Sequence, residues 1–190
     1  MKAALAQIQS EGLLSSLEIV DATKEPERAQ ALNIKTVPWL RLGALEFEGQ
    51  MGQGDVRAWA RTAETPEGLR HYFFTMLKSG KRGHVESVLR QHPHYAQALG
   101  ELLTDADASM AVRIGIGAVL EELGASADAM VPALVKLLGD AEARNRADAA
   151  HFLSLIATPA ALTALRSALN DNNADVREIA AEALAHHHAS

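Results

Sequence analysis

The chain has 190 residues, 48% of them apolar and 22% charged, with a formal net charge of −6. That is length for one ordinary domain or two small ones. The acidic balance, −2 over residues 1–65 and −4 over 66–190, leaves no basic field for nucleic acid. With no cysteine, disulfides, thiolate metal sites and thiol catalysis are excluded within this sequence, and the composition fits a reducing cytoplasm. No apolar run reaches the roughly 18 residues of a membrane span, and the opening residues lack the pattern of a signal peptide.

Leu5, Ile8 and Leu13 lie at helical spacing, with Gly12 fraying the end. Leu17-Glu-Ile-Val20 reads as a short strand closing on Asp21. Pro26 opens a second helix. Thr36-Val37-Pro38 leads into the strand Trp39-Leu-Arg-Leu42, Gly43 makes a tight turn, and Leu45-Glu-Phe-Glu48 returns as an antiparallel partner. Asp55 is expected to cap a helix holding Val56 and Trp59. Proline cannot donate to a sheet ladder, so its place at the head of a strand asks for an edge or a turn.

This order, with the approach "ALNIKTVP" and the hairpin ending "EFEG", resembles the second half of a thioredoxin or glutaredoxin fold over about the first third of the chain. The resemblance implies a cis bond before Pro38, with Thr36, Val37 and Pro38 offering backbone to an extended peptide or to glutathione. Two departures stand beside it. The family's Cys-x-x-Cys belongs at the start of the first helix, where this chain has none, and the central strand before it is missing. A shortened version of a longer protein is therefore expected. Strands left without their middle neighbour would close up, leave a gap or accept a strand from another chain, making a homodimer one expectation.

Thr65-Pro66 marks the expected boundary, with residues 1–64 as the first domain and residues 65–190 as the second. Leu69 to Leu77 forms an apolar helix. Beyond it the chain echoes itself. Leu102-Leu103-Thr-Asp105 recurs as Leu137-Leu138-Gly-Asp140 and Ala168-Leu169-Asn-Asp171. Each Asp is followed by an arginine, Arg113, Arg146 or Arg177, and each arginine by a leucine seven residues on, Leu120, Leu153 or Leu184. A period of this length built of two helices is the mark of a solenoid. The copies resemble HEAT-like repeats, in the short form of phycobilisome lyases and many bacterial proteins, with helix pairs near 83–103, 111–138, 146–169 and 176–187. The resemblance implies a structural role in the inter-helix turns for Asp140, Asp171, Arg113, Arg146 and Arg177. Ile116 and Gly117 stand where alanines belong, and Asn145 where valine does. The expected fold class is α+β: an incomplete thioredoxin-like α/β domain, then an all-α HEAT-like solenoid.

No catalytic or metal-ligating residue and no cofactor is assigned. Pro93 splays His92 from His94, no HExxH pattern is present, and His151 reads as a packed residue. Glu46 with Glu48 and Glu121 with Glu122 read as solvated faces rather than acid–base pairs. Lys78, Lys81, Arg82 and Arg90 form a small basic patch. The leading expectation is a non-catalytic protein-interaction scaffold, its partner surface on the second helix of each pair: Gln97, Glu101, Lys136, Thr163 and Arg166. An alternative is a fragment of a thiol-disulfide oxidoreductase or glutathione-binding protein whose Cys-x-x-Cys lies upstream of Met1. A third is a lyase-like chaperone for chromophore attachment, on repeat resemblance alone.

Overall fold

The computed structural model describes residues 2–32, 34–104 and 109–188. Asn33, from the "ALNIKTVP" approach, and Asp105, the first recurring aspartate, lie outside the described residues. Contacts divide the chain into two compact units, Met1–Gly68 and Leu69–Ser190.

In the first unit, α1 (Lys2–Ser10) and α2 (Pro26–Ala31) precede β1 (Trp39–Leu42), β2 (Leu45–Glu48) and α3 (Gln53–Thr62). The strands pair antiparallel, Trp39 opposite Glu48 through Leu42 opposite Leu45. A two-residue loop joins them, and Gly43 at its first position takes φ +57, a conformation that favours glycine. Alternation sends Leu40, Leu42, Leu45 and Phe47 to the buried face. There Phe47 meets Trp59 of α3, ring centroids 5.0 Å apart. Leu5 and Ile8 of α1 and Val56 of α3 are also buried, and Arg57 of α3 makes two bonds to Glu11, in the turn that follows α1, at 2.7 and 3.1 Å.

Pro38 stands one step beyond the ladder. Its carbonyl accepts from Gly49 N–H at 2.8 Å, so pairing continues to the one residue with no donor to return. The Val37–Pro38 bond is cis.

Two expectations are corrected here. Leu17–Val20 is not a strand: among the described residues its backbone joins no ladder, and the described sheet holds β1 and β2 alone. An apolar alternation becomes a strand only where another edge is in reach, and Ile19 is left 48% exposed. Asp55 does not cap α3. The helix starts two residues earlier, with Gly52 at the N-cap and Asp55 in the first turn, where a carboxylate suits the positive end of the helix.

The second unit is all helix among the described residues. α4 (Pro66–Lys78) enters it at Leu69; α5 (Arg82–Gln91), α6 (Ala96–Leu103), α7 (Met110–Leu123), α8 (Val131–Leu137), α9 (Ala143–Ile156), α10 (Pro159–Ala168) and α11 (Ala174–His188) follow. Short 3-10 turns lie at Pro93–Tyr95 and Gly124–Met130. The helices form two rows. In one, α5 packs on α7, α7 on α9 and α9 on α11; in the other, α6 packs on α8 and α8 on α10. Between the rows lie Leu99, Leu103, Ile116, Leu120, Leu134, Leu153 and Leu165, almost fully buried. Ala149, Ala150 and Ala180 are buried completely, which lets α9 and α11 approach closely. Of the two residues replacing alanine in the first copy, Ile116 fills core and Gly117 lies beside Phe152 of α9. Glu86 of α5 is buried between Arg82 and Arg90 one turn to either side, and Arg90 also pairs with Glu122 of α7.

At the start of α4, Thr65 Oγ accepts from Gly68 N–H at 3.1 Å, as an N-cap does. A side chain at Gly68 would place its Cβ 1.7 Å from the Thr62 carbonyl oxygen. Backbone cannot give way as a flexible side chain can. Gly68→Ala is therefore expected to destabilise the first unit by about 1–3 kcal/mol. Both tryptophans, Trp39 and Trp59, lie in that unit, so urea unfolding followed by their fluorescence reads it directly. An unchanged or raised midpoint would contradict the close approach.

Candidate functional site: the arginine-marked turns and the second-helix row

Arg113, Arg146 and Arg177 each occupy the fourth position of a helix, α7, α9 and α11. This accounts for their even spacing. A helical side chain leans toward the N-terminus, so an arginine one turn in points back at the loop before its own helix. A cation there opposes the helix dipole, and it must find carbonyl or carboxylate oxygens.

Arg146 finds five. Nη1 donates to the carbonyls of Asp140 (2.9 Å) and Ala141 (3.0 Å), in the turn before α9. Nε donates to Asp171 Oδ2 (2.8 Å) and Nη2 to Asp171 Oδ1 (2.9 Å) and Asn172 Oδ1 (2.6 Å), in the turn before α11. Guanidinium has five N–H groups in a fixed fork, and here all are used. Only 10% of the Arg146 side chain and 11% of Asp171 is exposed. The forked bonds to Asp171 hold Arg146 above its ordinary pKa, and the same bonds, helped by Asn173 N–H, hold Asp171 below the usual carboxylate range.

The other two arginines are placed differently. Arg177 Nη1 donates to the Asp171 carbonyl at 2.7 Å, repeating the Arg146–Asp140 bond, and its side chain is exposed. Arg113 Nη1 donates to Asp148 Oδ2 at 2.9 Å, a residue on α9 rather than in a turn. Asp140 Oδ1 accepts from Glu142 N–H (2.8 Å) and Asn145 Nδ2 (3.1 Å). Those two bonds, the backbone one first, lower its pKa. Asn145 thus exchanges the packing of a valine for a bond to its own turn.

Sequence reasoning missed Asn172, Asn173 and Asp148. Asn173 Oδ1 accepts from the N–H groups of Asp175 (2.9 Å) and Val176 (3.2 Å), capping α11. The signal was present in "DNNAD" just before a periodic helix, since asparagine and aspartate favour caps. His151 is a further correction: it lies exposed on α9 rather than packed, because the inward positions there belong to Ala149, Ala150, Phe152 and Leu153. Of the terminal histidines, His187 Nε2 donates to the Ser154 carbonyl at 3.0 Å, tying α11 to α9.

The second-helix row carries the remaining candidates. Gln97, Lys136, Thr163 and Arg166 are exposed. Glu101 is half-buried and bound by Arg70 of α4 at 3.0 Å. In the first unit, Val37 is 66% exposed between Thr36 and Pro38. Among the described residues no group of three or more His, Asp or Glu side chains could hold a metal, and no helix is long and apolar enough to cross a membrane.

Residues 96–185 match the family model of HEAT repeats. The matched stretch runs from the start of α6 into α11, through the two rows described above. Neither the curated proteins nor the solved structures yield a match to this chain.

Two outcomes follow from the turn geometry. Thermal unfolding followed by helical circular dichroism should show Arg146→Ala lowering the transition more than Arg177→Ala, whose exposed side chain closes its own turn with one bond to the Asp171 carbonyl. Truncating Arg146 removes five hydrogen bonds at once, and an equal effect at Arg177 would deny the five-bond arrangement. For pH, Asp171 is depressed in the folded state, so its contribution is complete above the unfolded value, about 3.9. It is lost as pH falls through the lower folded value. Asp171→Asn should accordingly be less stable than the parent at pH 7 but lose less stability between pH 5 and 3. A parallel acid limb in the two proteins would remove Asp171 from the account.

Proposed function

We propose that this chain is a protein-interaction scaffold of the HEAT-repeat kind, docking its partner along the row formed by α6, α8 and α10. The observation that carries this is the division of labour between the rows. The α7–α9–α11 row turns Arg113, Arg146 and Arg177 onto oxygens of its own turns and helices, and all five donors of Arg146 are used there. The second row exposes Gln97, Lys136, Thr163 and Arg166 on a packed base. A rigid base lowers the ordering cost of binding, and stacked repeats offer extended surfaces of this sort. On this reading Arg113, Arg146, Arg177, Asp140 and Asp171 are structural, and Glu101, held by Arg70, orders the first part of the docking row.

A second reading concerns the first unit. A shortened thioredoxin-like domain would receive an extended segment beside Thr36, Val37 and Pro38. It rests on the order of hairpin and following helix and on the exposure of Val37.

Affinity capture from source-cell extract tests the scaffold. The full chain is compared with a Gln97→Ala, Lys136→Ala, Thr163→Ala, Arg166→Ala variant and with a Glu178→Ala, Glu182→Ala control on α11. The first variant is expected to retain less than about one-tenth of the specifically captured protein, as when surface anchors are removed, and the control to retain all of it. Equal capture by all three would place the binding surface elsewhere.

A further inference from the structure

We infer that the docking row takes an acidic protein segment carrying an apolar anchor, seated across α8 and α10; this rests on the scaffold reading. The argument starts from charge. The whole chain carries −6, yet α8 (VPALVKL) and α10 (PAALTALRSA) contain no acidic residue. Each contributes one cation, Lys136 and Arg166, and both are exposed. Neither side chain enters a hydrogen bond or ion pair with a described residue. Cations of the other row are treated differently: Arg113, Arg146 and Arg177 are bound to oxygens of their own unit, and Arg144 reaches the Met110 sulfur. Glu101, the one acid of α6, is held by Arg70. Nothing anionic on the described helices of this row is therefore left to serve Lys136 and Arg166.

The apolar element is Val135, 47% exposed beside Lys136. Asp140 and Asp171 set the step between these repeats at 31 residues. By that step Arg166 occupies in α10 the place of Val135 in α8, and Thr163 the place of the exposed Pro132. The two helices pack on one another. A segment crossing from α8 to α10 therefore meets a cation and an apolar side chain on the first helix and a cation on the second. Carboxylates answer the cations, with a forked pair available at Arg166. An aliphatic or aromatic side chain answers Val135. A basic partner would be repelled at both charged positions, and a wholly apolar one would leave them uncompensated.

The test pans a random dodecapeptide phage library on the full chain. Enriched peptides are synthesised and measured by fluorescence anisotropy against the parent, Lys136→Glu/Arg166→Glu, Val135→Asp and Glu178→Lys/Glu182→Lys, each checked for helix content. Winners are expected to be net acidic with at least one large apolar residue. Lys136→Glu/Arg166→Glu should weaken them at least about tenfold, as reversing interfacial charge does, and 300 mM salt should weaken them relative to 50 mM. The α11 variant should bind unchanged. Neutral or basic winners that still fail on Val135→Asp would overturn the acidic partner while keeping the docking row. Winners indifferent to every substitution in α8 and α10 would overturn both. A library yielding no binder above background would count against the acidic partner.

Discussion

In the second unit Arg146 ties one inter-helix turn to the next. Its five donors span two successive inter-helix turns, reaching the carbonyls of Asp140 and Ala141 on one side and Asp171 with Asn172 on the other. Leucines and alanines between helices hold them together but are tolerant of small slides. A forked ion pair is not, since it demands plane and distance together. The apolar layer supplies cohesion, and the guanidinium adds a directional tie between the turns before α9 and α11.

The three arginines share a helix position and differ in what they meet. Arg146 joins turn to turn, Arg113 joins helix to helix through Asp148, and Arg177 closes its own turn. Identical placement in the period therefore leads Arg146 and Arg177 to different partners. The difference arises from the neighbouring repeat, not from the arginine: Asp171 and Asn172 stand where Arg146 can fork between them, while Asp140 is already engaged with Glu142 and Asn145.

The first unit shows the opposite balance. Its hairpin is specified locally, by alternation on each strand and a glycine between them, and its register runs on to Pro38 and Gly49. Around it, order comes from polar ties at the surface. Arg57 holds Glu11, Arg28 joins Glu18 and Glu25, and Asp21 draws in the backbone and hydroxyl of Thr23. That last pair of bonds lowers the Asp21 pKa and forms a turn directly after Leu17–Val20. Exposed ties of this kind contribute little each, so the hairpin with α1 and α3 is the part with a core.

Sequence alone determined what depends on near neighbours. The period of the repeats, the helix pairs, the turn at Gly43 and the pairing of residues 39–42 with 45–48 were all legible, because spacing and turn chemistry act within a few residues. Tertiary structure decided what depends on distant ones. Leu17–Val20 has a strand's alternation but no edge to join. His151 has a core-like position in the chain but faces solvent. Arg146 and Arg113 read alike until the acids opposite them, 25 and 35 residues further on, are in place. A hydrogen bond needs both partners in position, and only the packed chain brings the second one there.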